Sequence, residues 1–393
     1  MTLSATHPAI HVNDLALDAE RMLDGLRPWV ECESPTFEPE AVSRMTALAA
    51  DHLRALGASV ERIPGPSGLG DCARAAFPHP RAGEPGVLIL AHLDTVHPLG
   101  TLGALPFRRE GGRAYGPGIL DMKGGTFAAL EAVRALREAG AETPLPIHVL
   151  LTSDEEIGSP GTRALIEAEA RRHRVVLVPE PARGRDGVVT GRYAIARFDL
   201  AAHGRPSHAG AALGEGRSAI RLMARKVLEI EEMTGEDCTF SVGVIGGGRW
   251  VNCVSTLCRA EALSMAKRQA DLDRGVERMR ALASREADGT GFEVSLGVVR
   301  PVWEPSEDTL ALLEAARGIA RGIDPAWDLD GGSAGGGSDG NFTGALGIPT
   351  LDGLGVAGAG YHTLEEHIEV ESLPRRARLV AGLLLAAGGE ARG

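Results

Sequence analysis

Three short segments of the chain are almost wholly apolar, and histidine or acidic residues follow each of them closely. The segments lie at residues 86–91 (GVLILA), 146–152 and 175–178. Apolar runs of this length without polar alternation are typical of strands buried on both faces of a sheet that helices cover. Helical patterns at 125–139 and 161–172 separate them along the chain. Strands that alternate with helices in this way predict an α/β domain.

The hydrophobic pattern changes near residue 187. From there to residue 299 the predicted strands alternate between apolar and polar residues, and helical patterns intervene, which is typical of an α+β unit. After residue 299 the sequence again shows the α/β pattern of its first 186 residues. Because 393 residues exceed a single core of roughly 100–200 residues, we expect two domains. One is a main α/β domain (1–186 and 300–393) with a mixed, helix-covered sheet, and the other is a smaller inserted α+β domain (187–299).

The composition argues against several classes of protein. A net charge of −12 disfavours a nucleic-acid or anionic-membrane partner, and the sequence has no run of about 18 apolar residues that could form a membrane span. The five cysteines are scattered without a CxxC pair, which favours free thiols in a reducing compartment over a disulfide framework. The N-terminal residues do not resemble a signal peptide. We therefore expect a cytoplasmic protein.

Polar residues follow each buried strand, at the position where ligands bind in open α/β sheets. His92 and Asp94 follow the first strand, the pair Glu155 and Glu156 follows the second, and Glu180 follows the third. A histidine here can bind a metal while an aspartate two residues on orients its ring. Two adjacent glutamates can divide metal binding and proton transfer between them. The alternatives are a structural histidine and a solvated acidic turn.

Two glycine-rich segments add further candidates. Asp121, in YGPGILDMKGG, precedes a helix and serves either as its N-cap or as a ligand. His362 follows the turn GAGY, whereas His367 reads as a surface residue. Together the candidates provide two histidines and three acids without a cysteine, a mixed N/O set that suits zinc, or cobalt or manganese. Two such ions would share one bridging carboxylate, and the main domain would be the metal-binding, catalytic one.

Six motifs of this sequence resemble those of the M20 metallopeptidase family, and most closely its glutamate carboxypeptidase (carboxypeptidase G2-like) branch. They are HLDTV, YGPGILDMKGG, TSDEEIGS, PEP, GRPSHAG and GAGYHTLEE, and the resemblance covers nearly the whole chain. It implies two divalent metal ions, one held by His92, Asp121 and Glu180. The other would be held by Asp121, Glu156 and His362, so that Asp121 bridges the pair.

The resemblance also implies roles around the ions. Glu155 would be the general base acting on the metal-bridging water, with Asp94 supporting the first histidine ligand. His208 of the insert would contact the substrate carbonyl oxygen across a homodimer formed by the inserted lid or dimerisation domain.

Three further residues would bind the substrate by the same resemblance. Asn252 would lie in the pocket, and Arg300 resembles the arginine that receives the substrate carboxylate. Ser338 belongs to a loop that lines this pocket in the family, unless the loop is simply a flexible glycine turn. One segment departs from the pattern: Leu263–Met265 stands where the family has Asp-x-Arg, which suggests a local change in the insert and leaves glutamate specificity open.

These observations predict a di-metal hydrolase that cleaves an amide bond next to a free carboxylate. It would release a C-terminal amino acid, with glutamate as one candidate, from an N-acyl or peptidyl group. The alternatives are an N-acyl amino acid deacylase or other amide aminohydrolase of the same family, and a non-catalytic binding protein that keeps the fold. The intact set of ligands together with Glu155 argues against the last of these. The expected partners are a small N-acyl amino acid or peptide and a second copy of the chain, with no nucleic acid and no membrane.

Overall fold

The computed structural model describes residues 10–388. Their helices are α1 (Ala19–Glu31), α2 (Pro39–Ala55), α3 (Gly124–Glu138), α4 (Arg163–Ala170), α5 (Ala219–Glu232), α6 (Gln269–Ala281), α7 (Glu307–Ile323), α8 (Gly340–Ala345) and α9 (Ser372–Ala386). Their strands are β1 (Ser59–Ile63), β2 (Cys72–Ala76), β3 (Gly86–His92), β4 (Arg108–Glu110), β5 (Arg113–Tyr115), β6 (Ile147–Thr152), β7 (His173–Leu177), β8 (Val188–Arg192), β9 (Ala194–His203), β10 (Cys238–Gly247), β11 (Leu257–Ala266), β12 (Ser284–Arg285), β13 (Gly291–Arg300), β14 (Gly331–Ala334), β15 (Thr350–Leu351), β16 (Gly358–Ala359) and β17 (His367–Glu369). Within this part of the chain, none of the helices combines the length and the apolar character needed to cross a bilayer.

The described residues form two compact units. The larger unit comprises the residues up to Gly191, Glu304–Ala334 and those from Ser338 onward. The smaller unit comprises Arg192–Trp303 together with Gly335–Gly337. It begins at Arg192, whereas the sequence pattern places the boundary at residue 187. The physical reason is that β8 pairs with β14, which belongs to the larger unit.

A six-stranded mixed sheet in the order β1-β2-β6-β3-β7-β15 forms the centre of the larger unit. Strands β6, β3, β7 and β15 are parallel, whereas β1 and β2 run antiparallel to their neighbours. In the register of β3 with β6, His92 is opposite Thr152. Because parallel strands end at the same edge of a sheet, the residues that follow β3, β6 and β7 are brought to one edge.

Strand β3 shows why this sheet is covered on both faces. Val87 and Ile89 belong to the larger apolar core, which includes buried residues of α1, α2, α3 and α9. Leu88 and Leu90 point the other way into a second core with residues of α4 and α8. All four side chains are at most 1% exposed, and burying each contributes roughly 1.5–3 kcal/mol. The mixed, helix-covered sheet predicted from the apolar runs is therefore confirmed.

The smaller unit is an antiparallel five-stranded sheet in the order β10-β11-β9-β13-β12. Its strand β9 alternates buried and more exposed residues, with Phe198 and Leu200 in a core that also holds residues of α5 and α6. Alternation of this kind is expected when helices cover one face of a sheet and leave the other uncovered. The segment Leu263–Met265 is regular strand here, paired with both β10 and β9.

Candidate metal centre

Three strand ends bring the candidate ligands of the larger unit together. His92 is the last residue of β3, the acids 154–156 follow β6, and Glu180 follows β7. The first group of donor atoms consists of His92, Asp121 and Glu180. Nε2 of His92 lies 3.2 Å from Oδ1 of Asp121 and 3.7 Å from Oε1 of Glu180. One cation placed among these atoms could contact all three.

The second group uses the other oxygen of the same aspartate. Nε2 of His362 lies 3.3 Å from Oδ2 of Asp121 and 3.3 Å from Oε2 of Glu156. The donor atoms of each group all lie within 4.8 Å of one another. His362 has φ +63°, a left-handed conformation that residues with a side chain adopt rarely and that recurs at functional sites. Asp121 therefore presents one oxygen to each group, as a carboxylate bridging two ions would.

A backbone contact fixes which nitrogen of His92 can bind a metal. Nδ1 lies 3.0 Å from the carbonyl oxygen of Asp94, and because a carbonyl only accepts, Nδ1 must carry the proton. In the neutral form of the ring Nε2 then carries the lone pair, and this is the atom that faces Asp121 and Glu180. The closest contact of this ring nitrogen to Asp94 is with the main chain, since Oδ1 of the side chain lies 3.5 Å from Nδ1.

The carboxylate of Asp94 holds the loop after β6. Its Oδ1 accepts the backbone N–H of Glu155 and its Oδ2 that of Glu156, both at 3.2 Å, and the hydroxyl of Thr36 donates to Oδ2 at 2.7 Å. Glu155 is only 8% exposed, and its Oε2 lies 3.9 Å from Nε2 of His92. It belongs to neither group of donor atoms but lies beside the first. The alternative interpretation, in which these glutamates lie in a solvated acidic turn, therefore does not fit this loop.

Burial and like charge make this cluster costly unless positive charge is present. Burial, together with the negative charge of Asp121, raises the pKa of Glu180 well above its usual range. Burial also raises the pKa of Glu156 to about 8. Hydrogen bonds with Asp121 and Glu156 raise the pKa of His362 to about 10. Buried carboxylates that crowd one another in this way are stabilised by cations, and oxygen and imidazole donors suit divalent ones.

Glycines let the ligand-bearing loops approach one another. A Cβ on Gly125 would lie 2.0 Å from the carbonyl oxygen of Pro179, and one on Gly355 would lie 2.3 Å from the same atom. Glu180, the next residue, is thereby packed between the start of α3 and the 353–356 loop. This close approach is the physical reason for the second glycine in DMKGG. Asp121 does not cap α3, because the N-cap position is Lys123, which rules out the first of the two roles considered from sequence.

Two residues at this site were not singled out from the sequence. Glu366 is fully buried and accepts hydrogen bonds from the backbone of the segment that carries Asp121, and Nε2 of His97 lies 2.6 Å from its Oε2. In the sequence, Glu366 is one of two adjacent glutamates in a polar stretch, and nothing local separates it from the exposed Glu365.

His367 is half-buried in β17 with its ring 5.1 Å from that of Tyr115, outside both groups of donors.

The candidate residues of the smaller unit lie on adjacent turns. The backbone N–H of Ala209 donates to the carbonyl oxygen of Asn252 at 3.0 Å, and His208 forms an isolated β-bridge with Cys253. His208 and Asn252 are both exposed. Nδ1 of His208 accepts the backbone N–H groups of Gly210 and Ala211, each at 3.1 Å. Its proton must therefore be on Nε2, which makes this exposed nitrogen a hydrogen-bond donor.

The last two candidates are buried. Arg300 ends β13, is 4% exposed and lies against Gly337 of the same unit, where a Cβ would be 2.7 Å from its Cδ. Ser338, in the larger unit, is completely buried. Its hydroxyl donates to Asp352 at 2.6 Å and accepts from the backbone N–H of Gly340 at 2.9 Å. The Ser338 hydroxyl therefore stabilises its own loop. This loop is not a flexible glycine turn, and the Ser338 side chain does not face open solvent.

The larger unit has a mixed sheet with two groups of carboxylate and histidine donors at its strand ends. These are features of a metal-dependent hydrolase. Residues 88–386 match the peptidase family M20/M25/M40. The chain therefore belongs to this family of metallopeptidases and amidohydrolases, whose members use divalent metal ions.

Named relatives cover a range of substrates. The chain is 29% identical to carboxypeptidase G2 of Pseudomonas sp. (strain RS-16) over 371 residues, which is 92% of this chain and 88% of that protein. It is 30% identical to acetylornithine deacetylase of Myxococcus xanthus over 192 residues, 45% of this chain and 49% of that protein. The fold resembles an M20 family metallo-carboxypeptidase from Sulfolobus solfataricus with a TM-score of 0.72 at 15% identity, covering 92% of this chain and 98% of that one. Amide hydrolysis is the activity that the named relatives have in common.

Proposed function

We propose that this enzyme releases a C-terminal amino acid from an N-acyl or peptidyl group by cleaving the amide bond next to a free carboxylate. The observation that carries the proposal is the bridging position of Asp121, with Glu155 beside the first group of donor atoms. The similarity to carboxypeptidase G2 over 92% of the chain supports the free carboxylate. The similarity to a deacetylase supports the alternative, an N-acyl amino acid deacylase that uses the same residues with a different pocket.

His92, Asp121 and Glu180 would hold one divalent cation, and Asp121, Glu156 and His362 the other. Two histidine nitrogens and carboxylate oxygens favour zinc, with cobalt and manganese as the alternatives. Bound cations supply Lewis acidity, which polarises the scissile carbonyl and makes a water more acidic. The oxygen and nitrogen donor atoms of each group already face one another, so binding of a cation needs little rearrangement.

Glu155 would move the proton. Its carboxylate lies near the donor atoms without belonging to either group, and its backbone is fixed by Asp94. A carboxylate in this position can accept a proton from the attacking water and return it to the leaving amine.

His208 would stabilise the oxygen that becomes negative during attack. The two backbone donors to Nδ1 fix the neutral tautomer with a proton on Nε2, which is the form needed to donate to an oxyanion. Arg300 would receive the substrate carboxylate, because a guanidinium pairs with it in a bidentate manner.

Exposed apolar side chains suggest which acyl groups fit. Of the six large apolar side chains exposed in the described part of the larger unit, five lie on three loops next to the metal ligands, and the sixth, Leu310, lies on α7. Hydrogen bonds join these loops, one from Thr36 to Asp94 and one between His97 and Glu366. We name this set the apolar rim: Phe37, Val96, Leu99, Tyr361 and Leu364. Clustered exposure of this kind marks a binding surface, and an apolar or aromatic acyl group is the occupant that we propose.

A second copy of the chain would pair through the smaller unit. Strand β10 is the outermost strand of its sheet, and Val244 and Ile245 on it are more than half exposed. Ile220 and Leu228 of α5 are exposed as well, and Ile220 lies beside Gly248, just after β10. An apolar edge strand next to an apolar helix face is suited to a symmetric dimer. We also propose a reducing, cytoplasmic setting for the enzyme, which its five free cysteines support.

The free carboxylate is tested with paired substrates. After reconstitution with Zn²⁺, we expect kcat/KM for an N-benzoyl amino acid to exceed that for its C-terminal carboxamide by roughly 10–100-fold, as one charge-assisted bidentate pair gives about 1.5–3 kcal/mol. Arg300→Met should remove most of this preference. If the wild-type enzyme cleaves the carboxamide equally well, it does not recognise a carboxylate at this bond. If the wild-type chain bound no metal at all, the proposal of a metal-dependent hydrolase would be overturned.

The apolar rim is tested by comparing acyl groups. We expect a preference for N-benzoyl over N-acetyl substrates of the same amino acid, and Phe37→Ser should reduce it. Leu310→Ser removes an exposed leucine outside the rim, 45% exposed against 78% for Phe37, and should leave the preference unchanged. The two variants together separate a specific effect of the rim from a general effect of surface polarity.

A further inference from the structure

Glu366 has an unusual number of hydrogen-bond donors for a buried side chain. Its Oε2 accepts the backbone N–H of Gly118 at 2.9 Å, and its Oε1 accepts those of Leu120 at 2.8 Å and Asp121 at 3.1 Å. Nε2 of His97 lies 2.6 Å from Oε2. Glu366 is 0% exposed and belongs to neither of the two metal-binding groups. Because it reaches the ligands only through their backbone, its effect on the site must be positional.

The segment that Glu366 holds carries the bridging ligand. Residues Gly118–Asp121 form an irregular turn before α3, and this turn does not satisfy all its own backbone N–H groups. The carboxylate supplies the missing acceptors and so fixes the main chain of Asp121. A small rotation of this residue would move one of its two oxygens out of reach of its group, since Oδ1 serves His92 and Oδ2 serves His362.

The same side chain belongs to the loop that carries another ligand. Glu366 is four residues beyond His362, and its backbone is tied into that loop by a hydrogen bond to Thr363. Its carbonyl oxygen also accepts the backbone N–H of Gly116 at 3.3 Å. Glu366 therefore joins the loop of His362 to the turn of Asp121 through both its side chain and its main chain. The separation of these two ligands depends on this connection.

We propose that Glu366, held in turn by His97, is a positioning residue that sets the geometry of Asp121 and His362 for binding two cations. The inference rests on the proposed function, because it concerns the same metal site. Replacing the carboxylate by an amide keeps the size but turns one acceptor into a donor that faces backbone N–H groups. The turn must then move, and metal binding weakens although every ligand is still present.

The test compares Glu366→Gln with Glu365→Gln, its exposed neighbour, as a matched control. The measurement is the dissociation constant of Zn²⁺ alone, by competition with a chromophoric chelator on folded protein, beside the free energy of unfolding of the metal-free chain. We expect Glu366→Gln to weaken at least one Zn²⁺ site by about 10–100-fold, the usual effect of losing support behind a ligand. Glu365→Gln should bind Zn²⁺ as the wild type does. Excess Zn²⁺ should restore much of the kcat of Glu366→Gln.

The outcomes separate this inference from its alternatives. A lower free energy of unfolding with unchanged Zn²⁺ affinity would mean that Glu366 only stabilises the fold, and the inference would be overturned. If Glu366→Gln does not fold, His97→Gln decides, because it removes one of the four donors and should weaken Zn²⁺ binding in the same direction but less. Unchanged affinity in His97→Gln would then count against the proposal. A wild-type chain that binds no Zn²⁺ pair would overturn the proposed function instead.

Discussion

The backbone N–H of Glu155 donates a hydrogen bond to Oδ1 of Asp94 at 3.2 Å, which ties the loop after β6 to the loop after β3. The same aspartate orients His92 through its carbonyl oxygen. One residue thus places a proposed metal ligand and the proposed general base relative to each other. A water or substrate between them would meet both groups in a fixed arrangement, which is the requirement for efficient proton transfer.

Removing the bridging carboxylate should empty both metal sites. Asp121→Ala takes away the only residue shared by the two groups of donors, so each group loses a ligand. We expect elemental analysis after dialysis to find far less metal per chain than in the wild type. Glu110→Ala, at an exposed acid of β4, is the control and should retain the metal. Two tightly held ions in Asp121→Ala would show that this residue does not bridge.

Replacing the general base should separate catalysis from metal binding. Glu155→Gln keeps the size of the side chain but cannot take up a proton, so kcat should fall by at least ~10²-fold. Its metal content should stay at the wild-type level, because Glu155 is outside both groups of donors. Glu156→Gln should lose metal as well as activity. Near-normal activity in Glu155→Gln together with full metal content in Glu156→Gln would mean that the roles are wrongly assigned.

A methyl group at Gly125 should disturb the site without touching a ligand. The new Cβ would lie 2.0 Å from the carbonyl oxygen of Pro179, so the loop carrying Glu180 must shift. We expect weaker metal binding and a loss of roughly 1–3 kcal/mol of unfolding free energy, as in other overpacked sites. Gly318→Ala, in α7 with nothing within 4 Å of the new Cβ, should be neutral or stabilising. Equal metal affinity in the two variants would refute the packing argument.

Acid should destabilise the larger unit through a pair of histidines remote from the metal ligands. The rings of His148 and His173 are 4.7 Å apart, and burial lowers the pKa of both, that of His148 to about 4. Glu169, Arg172 and His79 are the charged or titratable neighbours. Because the folded-state pKa is below the unfolded value of about 6.5, protons bind preferentially to the unfolded chain as the pH falls. The free energy of unfolding should therefore decrease from about pH 6.5 towards pH 4.

Urea denaturation near pH 7 and about pH 5 measures this effect. His148→Gln removes one of the two rings, so its unfolding free energy should depend less on pH than that of the wild type. The metal ligands titrate equally in both proteins, and the difference between the two slopes isolates His148. Identical slopes would show that this histidine does not contribute.

Mixed dimers should reveal whether His208 acts on the neighbouring subunit. When a Glu155→Gln chain and a His208→Ala chain exchange subunits, action in trans leaves one site intact in each mixed dimer. Activity should then recover towards about half of the wild-type value per dimer, by counting sites in a twofold assembly. Action in cis leaves every site defective and restores nothing. A confirmed mixed dimer without recovered activity would exclude the trans arrangement and leave the metal chemistry untouched.

The local sequence was sufficient to predict much of the fold and of the candidate site. The apolar run from Gly86 to Ala91 predicted a doubly covered strand because neither face offers a polar residue to water. The position of His92 and Glu180 after such strands predicted that they would meet at one sheet edge, which β3 and β7 confirm. The family motifs identified the enzyme class, since each motif keeps its chemistry within a few consecutive residues.

Tertiary structure alone decided the rest. Nothing near Glu366 in the sequence distinguishes it from Glu365, because its donors lie about 250 residues away in the chain, in the turn of Asp121. Ser338 reads as part of an open glycine-rich loop, yet its hydroxyl is enclosed by Asp352 and the backbone of Gly340. Periodicity and motif spacing report on neighbours along the chain. Burial and hydrogen bonding between distant segments arise only when the strands and loops pack, so they fix which of two adjacent glutamates is exposed and which supports the site.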